Sequence, residues 1–179
     1  MNHDDHVDLL RHAELKPGGT WADLGAGSGA FTLALRELIG PGGVIFAVDK
    51  DRSRLNELER AFRLRFGVSN NLQIIPGDFT RPLNLHALDG VLMANSLHYF
   101  KDKEKILLHA QTLMKPGGTL LVVEYNVDRG NPWVPYPMSF ETWRSLAQRV
   151  GFGEPRLLAR HSSSFLREFY SAITYWQVY

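Results

Sequence analysis

The sequence predicts an α/β fold with a mainly parallel sheet in a single domain. The chain has 179 residues, within the roughly 100–200 residues typical of one domain. Hydrophobic residues make up 44% and charged residues 22%, as in ordinary globular proteins. Short apolar runs alternate with longer segments of helical periodicity as far as residue 150. That alternation is typical of repeated βαβ units, which bury a parallel sheet between helices.

Each predicted strand in this part of the chain is a short run that is apolar almost throughout, which suits strands covered on both faces. These runs are Thr20 to Leu24, Val44 to Asp49, Leu72 to Ile75, Gly90 to Ala94 and Thr119 to Glu124. The helices between them are predicted at Phe31 to Ile39, Ser53 to Phe66 and Asp102 to Met114. In these segments apolar residues recur at spacings of three and four. Parallel strands joined by helices require right-handed crossovers.

Glycine and proline mark where these elements stop. Gly40 to Gly43 ends the first helix, and Lys115 to Gly118 separates the third helix from the fifth strand. Residues 126–139 contain three prolines and are predicted to form an ordered loop. The remaining predicted elements are a helix at Phe140 to Val150 and strands at Arg156 to Arg160 and Phe169 to Trp176. These two strands must pair antiparallel because they are so close in the chain.

Charge and composition exclude several classes of function. The 20 Lys and Arg and 19 Asp and Glu leave a net charge of +1, so we expect no nucleic-acid partner and no attraction to acidic membranes. Cysteine is absent, which excludes disulfides, thiolate zinc sites and cysteine nucleophiles. No metal site is expected, since the histidines form no H-x-x-x-H pair with an adjoining acid. Without an apolar leader or a long apolar run, the sequence predicts a cytoplasmic protein.

The most informative segment lies between the first strand and the first helix. There, Gly25, Gly27 and Gly29 allow a sharp turn and a close approach of ligand to backbone, at the sheet edge where α/β proteins bind ligands. The spacing also fits the dinucleotide pattern, with Ala30 in its last position and Asp49 as a ribose partner. A nicotinamide-dependent oxidoreductase is therefore an alternative that this loop leaves open. The nucleophile motif of serine hydrolases and the phosphate loop of NTPases do not occur.

Asp23, two residues before the first glycine, favours a different ligand. A carboxylate there would crowd a pyrophosphate, but it suits a ligand with an ammonium group and one carboxylate. Asp49 ends the second strand, Gly77-Asp78-Phe79 follows the third, and Lys-Pro-Gly-Gly precedes the fifth. As a set, these motifs resemble those of class I S-adenosylmethionine-dependent methyltransferases of the small-molecule type. The resemblance covers about residues 14–160.

This resemblance implies a fold, a cofactor and a reaction. The fold is a Rossmann-like seven-stranded sheet in the order 3-2-1-4-5-7-6, with strand 7 antiparallel and helices on both faces. A single methyltransferase domain would occupy residues 1–179. The cofactor is S-adenosyl-L-methionine, and the methyl acceptor is a small molecule. A homologue that binds the cofactor without catalysis, as a scaffold, is the alternative within the same family.

The family's cofactor-binding residues map onto the ends of the first four strands. Asp23 would order the loop and favour the ammonium group, and Asp49 would accept from both ribose hydroxyls. Asp78 would accept from the adenine amino group, with Phe79 beside the ring. Lys50 stands where many relatives have an apolar residue, and its aliphatic stem would cover adenine. The predicted residues around the methionine portion are Gly25, Ala26, Gly27, Gly29, Asn95, Ser96 and Leu97.

Residues for the methyl acceptor are expected after the fourth and fifth strands. His98 is the candidate general base because it follows the fourth strand and so lies near the transferring methyl group. Its alternative role is to cap the next helix or pack against the cofactor. Glu124 would contact an acceptor or simply close the sheet. Trp133 and Tyr136, in the acceptor-side loop 126–139, would wall an apolar acceptor pocket or belong to the core.

The segment before the first strand predicts little more than a short helix. Residues 1–18 have room for one helix, within His6 to Leu15. Many relatives fold additional lid helices over the cofactor, so we expect a site that is open to solvent, admits a large acceptor or is completed by another subunit. The aromatic residues of the last strands allow a homodimer contact.

Overall fold

The computed structural model describes residues 1–68 and 70–177, and in this part of the chain it contains a seven-stranded sheet. The strands are β1 (Thr20–Leu24), β2 (Val44–Asp49), β3 (Leu72–Pro76), β4 (Leu88–Ala94), β5 (Met114–Tyr125), β6 (Arg156–Ser163) and β7 (Arg167–Tyr175). Their order is β3-β2-β1-β4-β5-β7-β6. β7 runs antiparallel to β5 and β6, and the other pairs are parallel. The predicted fold class and strand order are confirmed.

Helices cover both faces of the sheet. They are α1 (His3–Arg11), α2 (Ala30–Ile39), α3 (Arg52–Phe66), α4 (Lys103–Leu113) and α5 (Phe140–Arg149), with a 3-10 turn at Leu97–Tyr99. Successive strand residues point to opposite faces. Leu121 and Val123 therefore pack with α1, α2 and α3, whereas Leu120 and Val122 pack with α4 and α5. In the described residues, no helix has the length and apolar character that crossing a membrane requires.

The fifth strand begins earlier than the sequence predicts. The pattern of Lys115 to Gly118 predicts a turn, but β5 already starts at Met114, which lies opposite Leu88 of β4. The regular ladder resumes at Thr119, so the intervening residues form a bulge. Gly117, at a φ of 77°, donates its amide to a carbonyl just beyond β7. Pairing of these backbone groups across the sheet outweighs the local turn preference of proline and glycine.

The first helix lies against the sheet and its neighbouring helix. It starts at His3 rather than His6 because Asn2 and Asp5 form a capping box, in which each side chain accepts from the other's backbone amide. Val7 and Leu10 are buried in the core formed with α2 and α3. A cavity lies at the carboxyl ends of β1 and β2, and within the described chain α1 contributes no residue to its lining.

Candidate active site

A cavity of about 390 Å³ opens beside the carboxyl ends of β1, β2, β3 and β4. The strand order reverses at β1, because β2 and β3 lie on one side of it and β4 and β5 lie on the other. Open α/β sheets bind ligands at such a switch point. The predicted residues that line this cavity are Gly25, Gly27, Asp49, Lys50, Asp78, Phe79, Asn95 and Ser96. The structure adds Asp51, Arg54, Gly77, Tyr99 and Phe100. The added residues follow the same strand ends, which is the signal that could have found them.

The amide groups of Gly25, Ala26 and Gly27 are already bonded within the protein. Gly25 and Ala26 donate to the carbonyl of Val48 at 2.8 and 3.0 Å. Gly27 donates to Oδ2 of Asp49 at 2.8 Å. A ligand group at these three residues must therefore donate to backbone carbonyls or share an amide. An ammonium group, which only donates, suits the first arrangement.

Gly25 allows the loop to approach β4 closely. Its φ is 87°, and a Cβ at this position would lie 2.6 Å from the Cβ of Ser96 and 3.2 Å from a ring carbon of Phe79. Gly29 has another role, because a Cβ there would lie 2.4 Å from Cγ of Leu58 in α3. Gly25 thus allows the loop to lie directly against β4 at the cavity wall, whereas Gly29 allows two helices to pack and does not line the cavity.

Asp23 lies behind the cavity wall. Its side chain is buried, and Oδ2 accepts a hydrogen bond from the Thr32 hydroxyl at 2.6 Å. The pKa of Asp23 is raised to about 7, mainly by burial and to a smaller extent by the negative charge of Asp49, against the Thr32 hydrogen bond, which lowers it. The structure therefore places Asp23 where it can act on a ligand through its charge and through the loop, not by contact.

Two further carboxylates do face the cavity. Asp49 accepts from the Gly27 amide and, through Oδ1, from the Asp51 amide at 2.9 Å. Asp78 accepts through Oδ1 from the amide and the hydroxyl of Thr80, and these bonds lower the pKa of Asp78. Each carboxylate oxygen has two lone pairs, so both side chains can still accept from a ligand. Among residues 1–68 and 70–177, no group of three or more His, Asp or Glu could hold a metal ion.

Two polar atoms on the β4 side of the cavity have no hydrogen-bond partner within the described chain. They are Oδ1 of Asn95 and Oγ of Ser96. Asn95 adopts a φ of 53°, and its amide donates to the Val123 carbonyl at 2.8 Å. A buried polar group without a partner costs about 1–3 kcal/mol. Both atoms therefore point to a ligand that completes their hydrogen bonds.

His98 and Glu124 form a buried pair next to this cavity. Nδ1 of His98 lies 2.8 Å from Oε2 of Glu124, and Oε1 accepts from the amides of Leu97 and His98 at 3.0 and 3.1 Å. The side chains of His98 and Glu124 are 3% and 0% exposed. Glu124 therefore does not reach the cavity surface, and it can affect an acceptor only through His98. Leu97 is also buried and does not line the cavity.

The loop 126–139 is fixed against the 3-10 turn that carries His98. The amide of Tyr136 donates to the His98 carbonyl at 2.9 Å. The ammonium group of Lys103 donates to the carbonyls of Phe100 and Tyr136 at 2.8 and 2.7 Å. Trp133 is 71% exposed and Tyr136 43% exposed, so neither belongs to the core. The structure brings this loop beside the cavity without making these two side chains part of its wall.

Replacing Lys103 by methionine should loosen this loop. The change leaves two carbonyls without their donor, at an expected cost of about 1–3 kcal/mol. Amide hydrogen exchange at Tyr136 should become faster, and denaturant unfolding should report the lost stability. Lys105→Met, at an exposed position on the same helix, is the control. Unchanged exchange in Lys103→Met would contradict the role given to these bonds.

Comparison with known proteins identifies the family. Residues 22–120, more than half of the chain, match the family model described as a methyltransferase domain. The chain belongs to the class I S-adenosylmethionine-dependent methyltransferases. The resemblance seen in the sequence is confirmed, and the oxidoreductase alternative is not supported. The cofactor of this family is S-adenosylmethionine.

Relatives of the methyltransferase agree with this family. The ubiquinone/menaquinone biosynthesis C-methyltransferase UbiE of Ectopseudomonas mendocina is 32% identical over 119 residues, which are 66% of this chain and 46% of the relative. The chain thus spans less than half the length of this curated relative. A methyltransferase from Aquifex aeolicus shares the fold with a TM-score of 0.73 at 20% identity, covering 96% of this chain and 89% of that one.

Another solved structure with this fold contains the cofactor. It is the magnesium protoporphyrin IX methyltransferase of Synechocystis with bound S-adenosylmethionine, at a TM-score of 0.73 and 15% identity. It covers 98% of this chain and 78% of that one. In the present methyltransferase, the free acceptors on Asp49 and Asp78 and the unpartnered oxygens of Asn95 and Ser96 fit a ligand rich in donor groups.

Proposed function

We propose that the chain binds S-adenosylmethionine in the 390 Å³ cavity and methylates a small-molecule acceptor beside it. The observation that carries this proposal is the pair of buried oxygens without a partner at the end of β4. Oδ1 of Asn95 and Oγ of Ser96 belong to residues that line the cavity, and neither atom has a hydrogen-bond partner in the described chain. Unpartnered buried polar atoms cost free energy, which favours a ligand over a purely structural turn.

The residues of the cavity then have separate tasks. Asp49 would accept from the ribose hydroxyls and Asp78 from the adenine amino group, while Phe79 and the stem of Lys50 flank the ring. The bound cofactor supplies a methyl group attached to a positively charged sulfur. The sulfur is the leaving group and becomes a neutral thioether. Because the leaving group is good, the protein mainly positions the reactants and excludes water. Asp23, behind the wall, would favour the cationic end of the cofactor through its charge.

The acceptor would lie on the side of the cavity where His98 and loop 126–139 meet. His98 would take a proton from the acceptor, and Trp133 and Tyr136 would flank it. Relatives named as ubiquinone/menaquinone C-methyltransferases support a small organic acceptor. The single domain, the cytoplasmic location, the homodimer contact and the absence of a nucleic-acid partner stay predictions.

Replacing Asp49 by alanine should remove most of the affinity for the cofactor. The change deletes the predicted ribose acceptor and the bond that holds the Gly27 amide, so the dissociation constant should rise by about a hundredfold. Isothermal titration with S-adenosylhomocysteine, which is not consumed, gives this value directly. Asp89→Ala is the control, because Asp89 binds the amide of Thr20 and Lys115 at the other end of the sheet.

Two results would contradict this assignment. An unchanged dissociation constant in Asp49→Ala would show that the ribose does not bind there. Saturable binding of NADH by the wild-type chain, with no binding of S-adenosylhomocysteine, would overturn the proposed function as a whole.

A further inference from the structure

A series of aromatic rings runs from the cavity to the loop 126–139. Tyr99 lines the cavity, and its ring centroid is 4.3 Å from that of His98. The His98 ring is 5.8 Å from Tyr125, Tyr125 is 6.1 Å from Phe165, and Phe165 is 6.3 Å from Trp133. Tyr99, Phe165 and Trp133 are 57%, 49% and 71% exposed. In this ring series, Tyr99 belongs to the cavity wall, the buried His98 joins it to the partly buried Tyr125, and Phe165 and Trp133 continue the series at the protein surface.

His98 lies in the middle of the ring series, and Glu124 determines how its ring is oriented. The two backbone amides that donate to Oε1 of Glu124 fix this carboxylate, and its Oε2 faces Nδ1 of His98. A carboxylate can only accept, so the neutral imidazole must carry its proton on Nδ1. The lone pair of Nε2 is then available to accept a proton, and the adjacent negative charge stabilises the imidazolium that forms.

The surrounding charged and titratable groups are consistent with a base at this position. Lys103, on α4, is the cation that faces Glu124, and its ammonium group is held by two carbonyls. Tyr99 and Tyr125 are titratable neighbours of His98, and Tyr170 of β7 lies opposite Glu124 in the sheet. Burial raises the pKa of Tyr125, so its hydroxyl stays protonated at neutral pH and does not compete as a base. His98 is therefore the group beside these rings that can take a proton.

We propose that the acceptor is a hydroxylated aromatic ring that stacks on the ring series at Tyr99 and Tyr125, and that Glu124 is a positioning residue that fixes His98 as its base. This inference rests on the proposed function and names its substrate class. Aromatic faces prefer flat partners in offset or edge-on geometry. A base is useful for a hydroxyl group, whereas nucleophiles that are already free of their proton need none.

The proton and the methyl group exchange on the acceptor oxygen. The O–H bond breaks, the proton passes to Nε2 of His98, and the electron pair stays on the oxygen. The oxygen uses this pair to form a bond to the methyl carbon while the electrons of the C–S bond stay on sulfur. The imidazolium then releases its proton to solvent, which returns His98 to its starting form.

The first test measures the tautomer of His98 in the free protein. Nitrogen-15 NMR at about pH 8, where an ordinary histidine is neutral, should show Nε2 without a proton and Nδ1 with one. The resonance is assigned by its loss in His98→Gln. In Glu124→Gln, the two backbone amides hold the carboxamide oxygen, so its NH₂ faces Nδ1 and the proton should move to Nε2. Glu141→Gln, at an exposed glutamate, should leave the tautomer unchanged.

The second test measures acceptor binding without turnover. The S-adenosylhomocysteine complex is titrated with 2-naphthol and with 1-decanol, an aliphatic alcohol. We expect saturable binding of 2-naphthol, weaker by about tenfold in Tyr99→Ala and in Phe165→Ala because each loses a ring contact. Leu108→Ala, an exposed apolar residue on α4, should bind 2-naphthol like the wild type. The aliphatic alcohol should bind at least about tenfold more weakly than 2-naphthol.

Each outcome decides a different claim. A proton on Nε2 in the wild-type chain would overturn the role of Glu124, and this measurement needs no buried substitution. Equal binding of the two alcohols, no binding of 2-naphthol, or no effect of Tyr99→Ala would overturn the aromatic acceptor. All of these results can occur while S-adenosylhomocysteine still binds. If the wild-type chain does not bind S-adenosylhomocysteine, that separate result overturns the proposed function.

Discussion

Replacing Gly25 by alanine should abolish cofactor binding and also destabilise the fold. The new Cβ would have to occupy a point 2.6 Å from the Cβ of Ser96, at a φ of 87° that disfavours any side chain. The loop and β4 must move apart to make room. We expect a loss of about 2–4 kcal/mol in the free energy of unfolding, from backbone strain and overpacking together. Affinity for S-adenosylhomocysteine should fall by at least about a hundredfold, since the residues of the cavity wall are displaced.

The variant Gly40→Ala distinguishes the effect of backbone strain from the effect of the steric clash with Ser96. Gly40 has a φ of 72°, but a Cβ there would have no atom within 4 Å. This control should lose about 1–3 kcal/mol and bind S-adenosylhomocysteine with wild-type affinity. Urea unfolding and titration calorimetry on the three proteins give both quantities. Wild-type affinity in Gly25→Ala would mean that the cofactor does not bind against this loop.

Replacing Asp23 by asparagine should stabilise the protein at alkaline pH while weakening cofactor binding. Burial raises the pKa of Asp23 from an ordinary value of 3.8 to about 7. The folded state therefore holds this proton more tightly than the unfolded state does. The corresponding stability is complete below pH 3.8 and is lost as the pH rises to about 7, a loss on the order of 4 kcal/mol. Asparagine retains an oxygen for the Thr32 hydroxyl and has no charge to bury.

The stability difference should therefore depend on pH. Asp23→Asn should exceed the wild type by about 1–2 kcal/mol near pH 5 and by about 4 kcal/mol near pH 8. Chemical denaturation across this range measures the difference. Asp4→Asn, at an exposed aspartate, should show no such trend. Titration calorimetry at about pH 8 should show weaker S-adenosylhomocysteine binding in Asp23→Asn, because the charge that favours the ammonium group is gone. A constant stability difference would show that Asp23 is ionised at no cost.

The sequence could predict the architecture because local patterns and global packing agree. Continuous apolar runs such as Val44 to Asp49 predict strands buried on both faces, and the structure buries them in that way. The start of β5 could not be predicted, because it depends on pairing with Leu88 across the sheet and not on the Lys115 to Gly118 segment itself. A strand boundary that is determined by pairing with a residue distant in the sequence leaves no signal in the local sequence.

The site was predictable to the level of strand ends and not to the level of side-chain direction. Asp49 and Asp78 face the cavity, whereas Asp23 and Ala26 follow the same logic in sequence and are not part of its wall. Burial of Glu124 depends on β4, β5 and the 3-10 turn meeting in three dimensions. The ring series similarly requires Phe165, next to β7, to meet Tyr125 at the end of β5. The spacing of residues along the sequence does not predict these long-range contacts.

The internal amide bonds of the glycine loop also affect how the cofactor associates. Since Gly25, Ala26 and Gly27 have their bonds before any ligand arrives, the conformational entropy of this loop is lost during folding. The cofactor then associates with a loop that is already ordered. The entropic cost of binding is therefore mainly the translational, rotational and conformational entropy that the cofactor itself loses. The expected kinetic signature is a single, concentration-dependent phase in stopped-flow binding, without a slower first-order step for loop closure.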